Sequence, residues 1–162
     1  MEENIDQLIE LIGGYPDKII LFINKLSKYR DLGKALNLLI RSLVDDVYTK
    51  LNGVRREYGG KYSSLRELLA GLTESPLEVT ELFHYHGDLI DLVDVFVKCN
   101  VLQYGNSEYL GIYRWNKEVS GGEGGLDVLA PSSRLYLYSL CELTSSDSDV
   151  CKRLREIVKS IG

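Results

Sequence analysis

Histidine, methionine and tryptophan are scarce in these 162 residues, with two, one and one copies, and proline and cysteine occur three times each. The histidines fall at His84 and His86, where a helix end is expected, and side chains two apart on a helix diverge. A structural zinc site usually wants four ligands at favourable spacing. The chain offers only Cys99 as a nearby third, so no metal is expected. Cys99, Cys141 and Cys151 form no C-x-x-C pair. They are expected to stay reduced and to pack as small apolar groups in a cytoplasmic protein.

Long apolar stretches are missing as well: no run approaches the ~18 residues of a membrane span. The opening MEENIDQLIE is acidic and amphipathic rather than cationic and apolar, so no secretory leader and no membrane contact are expected. Cationic charge is in deficit. Nineteen Lys and Arg against 24 Asp and Glu give a net charge of −5, which argues against non-specific coating of nucleic acid but leaves room for a local basic patch.

Catalytic frames are equally scarce. The chain has no G-x-S-x-G elbow and no H-E-x-x-H, and no general base beside a nucleophile defines a reaction class. SGGEGG, residues 120 to 125, has neither the lysine nor the hydroxyl that follows the glycines of a P-loop. It reads as a mobile connection. No enzyme activity, catalytic residue or cofactor is expected.

What remains is ordinary globular material, 44% hydrophobic, at a length that buries roughly 70% of the unfolded surface. Eleven tyrosines stand against three phenylalanines; a phenol can be half buried while its hydroxyl reaches water or a partner. Ile5, Leu8, Ile9 and Ile12 recur at helical spacing up to Gly13-Gly14. Pro16 opens a second helix bearing Ile19, Phe22, Ile23 and Leu26. Asp31 caps a third and longer one, with Leu32, Leu36, Leu39, Ile40, Leu43, Val47 and Leu51 along one side. NGVRREYGGKYSS, residues 52 to 64, breaks the pattern and reads as a loop.

Beyond it, Leu65, Leu68, Leu69 and Leu72 mark a short helix, and SPLEVTELFHYHG another. In DLIDLVDVFVKCNVLQYGNSEYLGIYRW, residues 88 to 115, Asp88 is placed to cap a helix whose Leu89, Leu92, Val93 and Phe96 fall on one side. Val101-Leu102 and YLGIYRW then flank a turn at Gly105-Asn106, a hairpin pattern. Three short helices and a hairpin resemble the winged helix-turn-helix family. The resemblance covers residues 63 to 117, about a third of the chain, and rests on element order and apolar spacing. RLYLYSLCEL, residues 134 to 143, alternates and reads as a further strand enlarging the wing's sheet. TSSDSD caps a last helix, with Val150, Leu154, Ile157, Val158 and Ile161 inward and Lys152, Arg153, Arg155 and Lys159 in water.

The expected fold is therefore mainly α with a small antiparallel sheet, an α+β protein. A helical unit over residues 1–52 packs, through a basic loop at 53–62, on a winged-helix-like unit over 63–162.

In the family, the outer face of the third helix supplies base contacts. Here that face carries Asp88, Asp91 and Asp94, like charge beside phosphates whose neutralisation normally supplies affinity. A protein partner is the expectation for it, joined by the sheet aromatics Tyr109, Tyr113, Trp115, Tyr136 and Tyr138. The opposite charge gathers from Lys50 to Arg66: Lys50, Arg55, Arg56, Lys61 and Arg66, with Tyr58 and Tyr62 interleaved. Guanidinium forks suit phosphates and exposed tyrosines stack on unpaired bases, so nucleic acid is expected there if anywhere. The leading expectation is a non-enzymatic adaptor. Its competitors are a winged-helix transcription regulator that dimerises through its N-terminal helices, and a small helical subunit of an RNA-guided or replication complex.

Overall fold

The computed structural model describes residues 11, 16–107, 111–113 and 126–161. The first expected helix, apart from Leu11, lies outside them, as do Tyr109, Trp115 and SGGEGG. The fold is mainly helical with one small three-stranded antiparallel sheet.

Helix α1 spans Pro16–Tyr29, with proline in the first turn, where its missing N–H leaves no hydrogen bond unmade. It turns its Phe22 side to the core and leaves Ile20 and Ile23 more than half exposed, so Ile23 does not join the inward stripe. Arg30 adopts a left-handed conformation just past the helix, its N–H donating to the Leu26 carbonyl at 2.7 Å. Asp31 caps α2, Leu32–Glu57, by accepting from the Lys34 N–H at 3.0 Å.

Helix α2 is the axis of the molecule. Ala35, Leu36, Leu39, Ile40, Leu43, Val47, Leu51 and Val54 are all buried along it. That stripe explains why the helix runs on through Gly53 and removes the loop expected over 53–62. Val54 extends the apolar period by one more contact, and one glycine costs only about 1 kcal/mol. Arg55 and Arg56 also suit the negative end of the helix dipole. The chain breaks only at Tyr58, and α3, Gly59–Gly71, begins at once.

Then follow β1 (Leu77–Glu78), α4 (Val79–Tyr85), a 3-10 turn (Gly87–Leu89), α5 (Ile90–Lys98), β2 (Leu102–Asn106), a further 3-10 turn (Gly111–Tyr113) and β3 (Asp127–Pro131). Helix α5 stops in a Schellman motif. Asn100 is left-handed, the Val101 N–H reaches the Phe96 carbonyl at 3.0 Å, and the Asn100 N–H reaches the Val97 carbonyl at 3.0 Å.

The sheet order is β1-β3-β2, with Leu77 and Tyr104 both opposite Leu129. Gly105 and Asn106 are paired within β2, against Val128 and Asp127, rather than forming a turn. Among the described residues the partner of β2 is thus 127–131; the expected partner strand, 109–115, lies outside them apart from 111–113. Val128, Leu129 and Ala130 are all buried, as a central strand covered on both faces should be. Pro131, which has no N–H to give, sits at the strand's end.

The largest departure is residues 134 to 143. They form helix α6, Arg134–Thr144, not a strand. Ser133 caps it, its hydroxyl accepting from the Tyr136 N–H at 3.2 Å. Leu135, Tyr136, Leu137, Ser139, Leu140 and Cys141 are all buried. A helix covered nearly all round shows no 3.6-residue period, and alternating Leu and Tyr then imitate a strand.

Helix α7, Asp149–Ile161, is capped by Ser148, whose hydroxyl accepts from the Cys151 N–H at 3.2 Å. Cys141 and Cys151 are joined by a disulfide between α6 and α7, contrary to the expectation of free thiols, and Cys99 is free and exposed. Arg155 is not simply in water. It reaches Glu142 at 3.3 Å, Asp147 at 3.2 Å and the Ser146 carbonyl at 2.7 Å. One apolar cluster extends from Leu11 to Leu154, drawing in α1, α2, α3, α5 and α6, so the expected N-terminal and C-terminal units share a core.

Candidate protein-contact surface

Helix α5 turns Leu92, Val93 and Phe96 inward, with Leu89 of the preceding turn. Helical geometry then places Asp91 opposite, and it is exposed. Asp88 is exposed too, but it belongs to the 3-10 turn, and the cap positions of that turn and of α5 are His86 and Leu89, not Asp88. Its part is played by the backbone: the Asp88 carbonyl accepts from the Lys61 ammonium at 3.0 Å. Asp94 is half-buried and accepts weakly from the Tyr104 hydroxyl at 3.5 Å. Burial first, then the neighbouring Asp94 carboxylate, raises the Tyr104 phenol above the ordinary tyrosine value.

The basic group sits on a helix corner rather than on a loop. Arg55 and Arg56 close α2, Tyr58 is the break, and Lys61 and Arg66 lie on α3. All five are exposed, and Lys50 is half-buried. Tyr62 is half-buried, with the Arg55 guanidinium 5.8 Å from its ring centre.

This corner lies directly against the acidic helix. Lys50, Gly53 and Val54 of α2, with Tyr58 and Lys61 beyond, share a groove of about 300 Å³ with Asp91, Leu92 and Val95 of α5. Two stretches that look independent in the sequence, one acidic and one basic, form the walls of one feature. Its apolar part, Val54, Leu92 and Val95, is missed by charge-based reading. The one available signal is Gly53, a glycine interrupting an otherwise regular helical stripe.

The aromatic residues fare differently. Tyr136 is 5% exposed and belongs to the core, so it is not presented to a partner. Tyr113 is half-buried, and its hydroxyl donates to the Leu72 carbonyl. Burial pushes its phenol well above the ordinary value. The neighbouring Ile112 carbonyl accepts from Arg134 Nε at 3.2 Å, so this turn is tied to α3 and α6 rather than displayed. Tyr138 is half-buried at an open trough of about 730 Å³ beside Lys34, Asn37, Arg41 and Glu142. Burial, and next the Glu142 carboxylate, raises its phenol.

Among the described residues no group of three His, Cys, Asp or Glu side chains assembles that could hold a metal. No helix among them is long and apolar enough to cross a membrane. No protein-family model, curated protein or solved structure matches the chain. What stands defined is an α+β fold with an acidic helix face and a mixed-charge groove beside it.

Proposed function

We propose that the protein is a non-enzymatic adaptor that contacts other proteins through the outer face of α5. The order α3-β1-α4-α5-β2-β3, with the antiparallel sheet order β1-β3-β2, supports reading residues 59–131 as a winged-helix-like unit. In that architecture α5 occupies the position of the DNA-reading helix.

The observation that carries the adaptor reading is what surrounds α5. An α-helix with its side chains is about 10–12 Å across, and the major groove is about 12 Å wide, so a reading helix needs both flanks free. Here Lys50, Gly53 and Val54 of α2 and the Tyr58–Lys61 corner stand along one flank of α5, lining the groove with Asp91, Leu92 and Val95. The outward residues, Asp88 and Asp91, repel phosphate. A protein partner needs neither a free flank nor a cationic face, and it gains from the exposed Val95 and Tyr58. Arg55 and Arg56 are exposed and do not line the groove, and their guanidinium forks are suited to a phosphate backbone within a larger assembly.

The test is co-purification from the native cell with wild-type protein and with an Asp88→Lys, Asp91→Lys variant. Proteins recovered stoichiometrically with the wild type and lost with the variant are expected. A partner set indifferent to both substitutions overturns the reading.

A further inference from the structure

The groove beside α5 is open in a way that α2 does not require for its own packing. Gly53 sits inside a 26-residue helix, where glycine costs about 0.5–1 kcal/mol relative to alanine. Nothing lies within 4 Å of the point a Cβ would occupy. No neighbour excludes a side chain, yet none is there, and the vacant space belongs to the groove.

The shape and polarity of that space describe an occupant. Val54 and Leu92, each 6% exposed, form its floor, while Val95 and Tyr58 stand 43% and 48% exposed at its sides. About 300 Å³ is at the low end for a ligand pocket and suits a large apolar side chain better than a cofactor. On the rim, the Lys61 ammonium is already engaged by the Asp88 carbonyl. Asp91 and Glu57 enter no ion pair among the described residues. Asp91, with the exposed Asp88 one turn before it, makes the α5 wall negative, and Lys50 is the cation on the α2 wall.

Resting on the reading of α5 as a protein-contact face, we propose that this groove takes a short basic amphipathic helix of a partner protein. One aliphatic or aromatic side chain fills the space beside Gly53, and a lysine or arginine one turn away pairs with Asp91. Asp91 and Val95 are themselves one turn apart, about 6 Å along the axis, which matches i,i+4 spacing on a docking helix. A second copy of this chain does not supply that helix from α7. The exposed residues whose burial is described there, Asp149, Lys152, Arg153, Glu156, Lys159 and Ser160, include no apolar side chain to enter the groove.

The experiment selects phage-displayed random peptides of about 12 residues, roughly three helical turns, on immobilised full-length protein. Binding of the enriched peptides is then compared with Gly53→Leu and Asp91→Lys. Leucine is a better helix former than glycine, so Gly53→Leu fills the groove while its melting midpoint stays at or above that of the wild type. Asp91→Lys changes an exposed residue and serves as the second, packing-neutral variant. We expect enriched sequences with an apolar residue three or four positions from a Lys or Arg, binding each variant at least about ten-fold more weakly than wild type. Failure of any such pattern to emerge, an acidic pattern, or equal binding to Gly53→Leu overturns the proposal. If co-purifying partners depend on Asp88 and Asp91 but ignore Gly53→Leu, the groove is wrong and the contact face stands. If they ignore all three, both readings fall.

Discussion

Reducing the Cys141–Cys151 bridge should lower stability by an amount that follows from where it sits. The two cysteines are fully buried and ten residues apart, joining α6 to α7 around the Ser145–Ser148 connection. The native hairpin has other ties: Arg155 to Glu142, Asp147 and the Ser146 carbonyl, and the Ser148 cap on α7. These hold the folded geometry without the cross-link, but as partly exposed contacts they contribute little to net stability. The loss is therefore mainly the freedom regained by the unfolded chain. For a loop of this length the chain-entropy relation gives about 2.7 kcal/mol. In a protein of this size each kcal/mol moves the midpoint by about 2–4 °C, so reduction should lower it by about 5–11 °C. The assay is a thermal melt of oxidised protein against protein reduced while unfolded and then refolded in reductant. A Cys141→Ala, Cys151→Ala variant, which should ignore reductant, serves as control. Thiol titration of the unfolded, unreduced chain should find Cys99 alone. All three thiols reacting in that titration, or a wild-type midpoint that reduction leaves in place, would refute the reasoning.

Other expectations follow from the same packing. Tyr113→Phe removes the hydroxyl that donates to the buried Leu72 carbonyl, and chemical denaturation should register about 1–2 kcal/mol lost. Because burial raises the Tyr113 phenol, the folded state keeps its proton after the unfolded chain has released it. Stability is thus untouched below about pH 10 and falls as pH rises past that value. The phenylalanine variant should show a shallower alkaline decline, and an identical slope would contradict the assignment. Leu92→Asp places a carboxylate in the core and should cost at least about 3 kcal/mol or abolish folding, whereas Asp91→Lys should stay within about 0.5 kcal/mol of wild type by denaturant titration. The reverse order would mean that α5 is turned the other way.

The helices with one wet side were legible in the residues because solvent preserves their period. Asp31 as a cap, the α2 stripe and the inward side of α5 all came through. Legibility failed where burial was complete. Helix α6 carries apolar residues on nearly every side, which erases the helical period and leaves Leu-Tyr alternation to mimic a strand. The informative signal there was Ser133 just before it, a cap position after Pro131. Strand β3 shows the same effect. Val128, Leu129 and Ala130 are covered on both faces, so they show no apolar-polar alternation to mark a strand. The α2–α3 corner misled for another reason. Asn52, Gly53, Gly59 and Gly60 are loop-forming by composition, but Val54 keeps the stripe in register and tertiary packing outweighs propensity. The groove was invisible because its walls lie thirty or more positions apart in sequence; only the fold brings Gly53 and Val54 beside Leu92 and Val95.

Whether α5 reads DNA or meets protein is decided most directly by titrating duplex DNA of mixed sequence with wild-type protein and an Arg55→Glu, Arg56→Glu variant at about 50 and about 200 mM salt, followed by fluorescence anisotropy. An acidic helix flanked by α2 predicts no saturable binding once Arg55→Glu and Arg56→Glu remove the basic corner, even at the lower salt. Tight binding that survives those two substitutions and weakens steeply between the two conditions would contradict it and make α5, with the β2–β3 strands, a nucleic-acid reader.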